Sequence, residues 1–301
     1  MQQHTFSISL CHAQCDAVSS SQLIQDIARA YRGDSLTGQV DFRDYIYWQN
    51  RYQIDQAHAF WQEYLDGSSI TRVPDLSHLP NHNHERRPIS LTRPPGQDVL
   101  KTPAIPNGIT LATLVKAAWA FTLSEFAHEC DIVFGQFVSG RNAPLPNIDG
   151  IVGPCVKELP LRVTIQNGWT VQEFLAHVHA QHIRTLQFDY LDLADIVDHC
   201  TPWRAGTRPS SRILHLSEDL TFDLPFEGAI PQSSWTDEVF KGTSDVWVHS
   251  HPQGDKLKLF LSTAHEGVLQ VGAPLLERLC DLVEILPQEL EKPLSTLRQR
   301  F

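Results

Sequence analysis

The sequence predicts a mixed α/β fold. Two observations carry the prediction. Apolar residues recur at strand and helix periods in alternation, without a strict βαβ repeat, and a proline-rich stretch divides the chain into two organised regions. With 301 residues, 42% of them apolar and 20% charged, the chain has the balance of a globular protein with a sizeable core.

The elements are predicted in order. Phe6, Ile8 and Leu10 alternate with Ser7 and Ser9, the period of a strand over 5–11. Ser19-Ser-Ser-Gln22 has the spacing of a capping box and opens a helix with Leu23, Ile24, Ile27 and Tyr31 on one side, ending near Gly33. Two aromatic-rich helices follow, 41–52 and 55–65. Seven of the 19 prolines fall between Pro74 and Pro106, which reads as a connector holding one short strand at 88–92. Leu111, Leu114, Val115 and Ala118 then mark a helix, 131–138 a buried strand, and Leu159, Leu161, Val163 and Ile165 another strand. Thr170 and Glu173 form a capping box for a helix that turns Val171, Phe174, Leu175, Val178 and Ile183 inward. Residues 246–249 and 257–261 read as paired strands, and 274–290 as the last helix.

Composition excludes several functions. A formal net charge of −11 disfavours a nucleic-acid partner. No window has the apolar length of a membrane span, and the first residues lack the basic-then-apolar pattern of a secretory leader. Six scattered cysteines without CxxC spacing suit reduced core thiols in a cytoplasmic protein, the expected location. His177, His179 and His182 share a helix, yet only His179 and His182 are three apart, and no third ligand accompanies them, so no metal is expected. There is no GxGxxG or P-loop for a nucleotide, and no GxSxG for a hydrolase serine. No bound cofactor is expected.

The chemistry candidate is Cys11-His12-Ala13-Gln14-Cys15-Asp16-Ala17. His12 has the parity of Phe6, Ile8 and Leu10, so it is expected to face inward at the end of the predicted strand. A histidine there can act as a base near neutral pH, with Asp16 fixing the loop or the ring. By spacing alone, HxxxD is a weak signal, and a solvated loop histidine with a helix-capping aspartate is the favoured reading.

Wider context singles the segment out. It resembles the HHxxxDG signature of nonribosomal peptide synthetase condensation domains. It is closer to the fungal terminal subgroup, in which SHxxxD is followed by fourteen residues and a tyrosine; here Ala17 to Ala30 precede Tyr31. Phe134-Gly-Gln-Phe-Val-Ser-Gly-Arg141 is similar to the family's FGxxVSGR, and Val152-Gly-Pro-Cys155 with Leu159-Pro-Leu-Arg-Val163 to its VGPCxNTxPxRV. His199-Cys-Thr-Pro-Trp203 with Ala205-Gly-Thr207 is similar to CTDWPxGT. Cys11, Ala17 and Lys157-Glu158 depart from the pattern. The DFGWG of HxxxD acyltransferases that use coenzyme A is absent, the nearest stretch being Thr243-Ser-Asp-Val-Trp247.

The resemblance implies a chloramphenicol acetyltransferase-like, two-lobed condensation-domain fold with an incomplete first lobe. Residues 1–67 would be the remnant of that lobe carrying the HxxxD motif, 68–108 the connector, and 109–301, or from as early as 86, the C-terminal lobe. It implies amide formation by cyclisation and release of a carrier-bound peptidyl thioester, with a peptidyl carrier domain as partner and substrates on phosphopantetheine arms. His12 would be catalytic, as base or as positioning group. Asp16 and Arg141 would be structural, Arg141 either pairing with Asp16 or lying at the surface. Cys11, Ala17 and Tyr31 would line the substrate channel. The rival expectation is a catalytically inactive remnant that docks a carrier or partner.

Overall fold

The computed structural model describes residues 7–11, 13–36, 40–73, 89–94, 97–106, 108–216, 246–263 and 268–298. These fall into two compact units. The first holds the described parts of 1–52 together with Ser139–Val156; the second holds those of Gln53–Val138 and of 157–219 and 236–301.

In the first unit, α1 spans Ala17–Tyr31 and α2 spans Phe42–Gln49. Each is started by an aspartate. Asp16 accepts the Ser19 N–H and Asp41 accepts the Arg43 N–H, satisfying donors that a first turn otherwise leaves orphaned. The cap of α1 is therefore Asp16, not Ser19 as the box spacing suggests, because a carboxylate three residues ahead of Ser19 takes that donor first. The predicted inward row also shifts. Ser19, Asp26 and Ala28 are buried, and Tyr31 is 81% exposed. The predicted strand at 5–11 is not formed in its described part. Residues 7–11 have no strand pairing, and Ile8 and Leu10 are each 45% exposed. Alternation specifies two faces, but an extended segment becomes a strand only where a neighbour accepts its hydrogen bonds.

Tyr45 on α2 is fully buried against Ala143, Ile151 and Cys155. Its hydroxyl donates to the Gly140 carbonyl at 2.8 Å. Phe42, Tyr45, Trp48 and Tyr52 stack in sequence along this segment, with centroid separations of 5.8, 6.4 and 4.7 Å.

The second unit is built on one mixed sheet. Its strands are β1 (Ile89–Leu91), β2 (Val99–Lys101), β3 (Asp131–Val138), β4 (Lys157–Thr164), β5 (Ser211–His215), β6 (Val246–Gln253) and β7 (Lys256–Thr263). Among the described residues the order is β1-β7-β6-β5-β3-β4, with β2 also on β7. The β3/β5 and β5/β6 pairs are parallel and the others antiparallel. The register sets Ile132 opposite Val163 and Phe134 opposite Leu161, so apolar side chains of β3 and β4 share one face. That face joins the core with Ile213, Val248, Leu259 and Leu261.

The helices α4 (Leu111–Ala127), α5 (Val171–Leu186) and α7 (Val268–Ile285) supply the rest of that core. Every residue from Thr113 to Glu125 of α4 is buried, so its polar groups need internal partners. Glu125 takes two bonds from Arg278 at 2.7 and 2.8 Å, and Lys116 meets His182 at 3.0 Å. The α5 capping box at Thr170 and Glu173 forms as predicted, whereas Ile183 is 44% exposed rather than inward. Two more helices, α3 (Ile54–Leu65) and α6 (Leu193–Cys200), belong to this unit. Gly135 in β3 leaves room for the Glu158 and Arg212 side chains, which an added Cβ would meet at 2.8 and 3.1 Å.

Candidate functional site

The candidate site in the first unit is organised by one carboxylate. Asp16 ends the Cys11–Cys15 segment and starts α1, and only 6% of its side chain is exposed. Oδ1 accepts from the Ser19 N–H at 2.8 Å and from Arg141 Nη2 at 2.9 Å. Oδ2 accepts from Arg141 Nη2 at 3.1 Å and from the backbone N–H groups of Cys155 and Val156 at 2.9 and 3.2 Å. The Ser19 hydroxyl lies 2.7 Å from Oδ1 and 2.6 Å from the Gly153 carbonyl. Its single proton serves one of these at a time, while it accepts from the Gly153 N–H at 2.9 Å and from Arg141 Nη2 at 3.0 Å.

Asp16 is thus both the helix cap and the partner of Arg141. The sequence treats these as rival roles, and geometry combines them: a carboxylate has about four acceptor positions, enough for a cap and an ion pair together. The Arg141 side chain is only 3% exposed. Its Nη1 donates to the carbonyls of Ile148 and Ile151 at 2.9 and 3.1 Å, so the guanidinium ties the whole 139–156 segment to α1. Gly140, just before it, has φ +65, and a Cβ there would overlap the Cys155 carbonyl oxygen.

His12 lies outside the described residues. Its neighbours are held: the Gln14 N–H donates to the Cys11 carbonyl at 2.8 Å, and the Cys11 N–H donates to Gln14 Oε1 at 3.1 Å. Cys11 is exposed, Ala17 is half-buried as the first residue of α1, and Tyr31 closes that helix. Fifteen helical residues put Tyr31 about 22 Å along the axis from Asp16. The structure therefore brings Asp16 and Arg141 together and leaves Tyr31 apart from them. Sequence reasoning passed over Ser19 as a ligand of the site, and over Tyr45. Ser19 is visible only as a capping residue, and Tyr45 only as one aromatic among several.

The α5 histidines make separate pairings. His179 Nδ1 is 3.0 Å from Thr113 Oγ1, and His182 Nδ1 lies 3.0 Å from Lys116 Nζ and 2.9 Å from Gln136 Oε1. Burial, with Lys116 adding to it, pushes His182 down to about 3, and burial pushes Lys116 down to about 7. No three metal-ligating side chains cluster among the described residues, and no helix there is long and apolar enough to cross a membrane. None of the six cysteines is in a disulfide.

The Asp16–Arg141 pair and the mixed sheet sit within a chain of a recognisable class. Residues 1–211 match the condensation-domain family, and the chain belongs to it. Its α/β fold is the chloramphenicol acetyltransferase-like fold of condensation domains. The nonribosomal peptide synthetase fmqA of Aspergillus fumigatus is 36% identical over 98% of this chain, which spans 7% of that synthetase. The crystal structure of holo T3CT is 29% identical with a TM-score of 0.81, over 95% of this chain and 64% of that one. The starter condensation domain of rhizomide synthetase, at 17% identity and a TM-score of 0.71, shares the fold.

Proposed function

We propose that this chain forms an amide bond by closing a carrier-bound linear peptide into a ring. The reading rests on its family and on the synthetases it is similar to, together with the order of its HxxxD and terminal tyrosine. The observation that carries it is the anchorage of Asp16, which fixes the end of the segment holding His12. In the proposed reaction an amine of the peptide attacks its own thioester carbonyl. The C–N bond forms, the C–S bond breaks, and the amine proton passes to the departing thiol. His12 either carries that proton or holds the amine and hydrogen-bonds the tetrahedral state. Asp16 and Arg141 hold the segment and do not react, while Cys11, Ala17 and Tyr31 are proposed to face the peptide. The partners are a peptidyl carrier domain and its phosphopantetheine-bound peptide, and no cofactor takes part.

The test is a mass-spectrometric assay with a carrier-loaded linear peptide. The parent should release the cyclic product, and His12→Ala should lose roughly 10²–10⁴-fold in rate. A base role predicts a pH–rate profile that loses its acidic limb in the variant; a positioning role predicts a uniform loss. Near-full turnover by His12→Ala would overturn the assignment. A parent that binds the loaded carrier without turnover would favour the second reading, a non-catalytic docking module. The half-exposed Ile8 and Leu10 are the observation behind that reading.

A further inference from the structure

The second unit has a polar cavity of about 180 Å³ at the junction of α3, β4 and α5. On α5 it is lined by His177, Gln181 and Arg184, which share one helix face beside the buried Phe174 and Val178. Thr164 of β4 and Tyr64 of α3 contribute as well.

The two arginines there differ. Arg162 is consumed by the structure: it grips Asp131 through Nε at 2.9 Å and Nη2 at 2.7 Å, and donates through Nη1 to the Tyr64 and Asp66 carbonyls. Arg184 is not. Its guanidinium lies over the rings of Phe60 and Tyr64, 5.6 and 5.7 Å from their centroids. Its hydrogen bond to Gln181 is a long 3.5 Å, and no carboxylate among the described residues pairs with it. Glu63 also lines the cavity, and it forms no ion pair among the described residues. His177 packs on Trp169 at 4.8 Å, with Nε2 3.4 Å from Thr164 Oγ1; burial, and then Arg184, hold its pKa down.

We infer that this cavity binds a phosphate-class oxyanion, with Arg184 as its charged ligand and His177, Gln181 and Thr164 as hydrogen-bonding partners. Arg184 is exposed, and the aromatic shelf beneath its guanidinium restricts part of the side-chain freedom that binding would cost. Hydrogen-bonding side chains reach the cavity from both β4 and α5, so an oxyanion beside Arg184 would have partners on two elements. An anion in the cavity would also offset the smaller part of the lowering at His177, the part that Arg184 adds to burial. This site belongs to the second unit and does not depend on the cyclisation reading.

The experiment follows the His177 imidazole by NMR, assigned with His177→Gln, and Trp169 fluorescence, in the full chain. Inorganic phosphate is titrated at constant ionic strength against chloride, with glycerol phosphate in a parallel arm. Phosphate should give a saturable shift. Arg184→Gln should weaken it at least about tenfold, the range for a hydrogen bond to a charged group. Glu63→Gln, which removes a competing carboxylate, should tighten it about two- to fivefold, a gain that misfolding cannot mimic. Binding of glycerol phosphate as well would identify an ester as the ligand, and binding of inorganic phosphate alone the free anion. A shift equal in chloride, one that survives Arg184→Gln, or no tightening in Glu63→Gln would overturn the site.

Discussion

Replacing Asp16 by alanine is the sharpest perturbation of the candidate site. Its carboxylate is 6% exposed and accepts from Ser19, Arg141, Cys155 and Val156. Removal strips one partner from a buried pair, which costs about 3–5 kcal/mol. The lost cap adds about 1 kcal/mol, and the two orphaned backbone donors at Cys155 and Val156 about 1 kcal/mol or more each. These terms overlap, so about 5 kcal/mol is expected, comparable to the whole stability of many domains. Asp16→Asn should be nearly as damaging. Every neighbour of the carboxylate donates, and the amide turns one acceptor into a donor facing them. The double variant Asp16→Ala/Arg141→Met removes the stranded guanidinium and should recover at least about 2 kcal/mol. Urea unfolding measures the global effect, and hydrogen exchange on peptides from α1 and Ser139–Val156 locates it. A loss for Asp16→Ala within the roughly 0–1 kcal/mol of an exposed pair would refute the reasoning. So would a double variant no more stable than the single one.

Three further outcomes follow from buried groups. Burial holds Lys116 at about 7, below its ordinary 10.5, so the unfolded chain binds a proton that the folded chain lacks between those values. Stability should therefore rise with pH from about 7 to 10.5. Lys116→Met should flatten that rise and stabilise the protein at neutral pH by about 2–4 kcal/mol: a ceiling of about 5, less the lost Lys116–His182 bond. Urea unfolding of both proteins across that pH range checks it. Gly140→Ala combines a left-handed backbone with overlap on the Cys155 carbonyl and should cost more than about 3 kcal/mol by the same measurement. Tyr45→Phe keeps the ring and loses the bond to Gly140, so it should cost about 1–2 kcal/mol, with faster exchange confined to α2 and Ser139–Val156.

Local chemistry determined much of this protein from sequence alone. The bounds of β3, the Thr170–Glu173 box and the helices α2 to α4 depend on neighbours a few residues away, and those neighbours are readable. Asp16 and Arg141 are legible as candidates because motif residues keep their spacing. Tertiary structure decided the rest. Whether 7–11 is a strand depends on a partner that alternation cannot announce, and so do β2 and β5, only three and five residues long. Which residue caps α1, and that one carboxylate serves cap and ion pair at once, depended on Arg141 arriving across 125 residues of chain. The burial of Lys116 against His182, and an Arg184 that no carboxylate among the described residues pairs with, likewise arise where α4, α5 and α3 meet the sheet. Burial and electrostatic pairing are set by groups distant in sequence, so no local pattern encodes them.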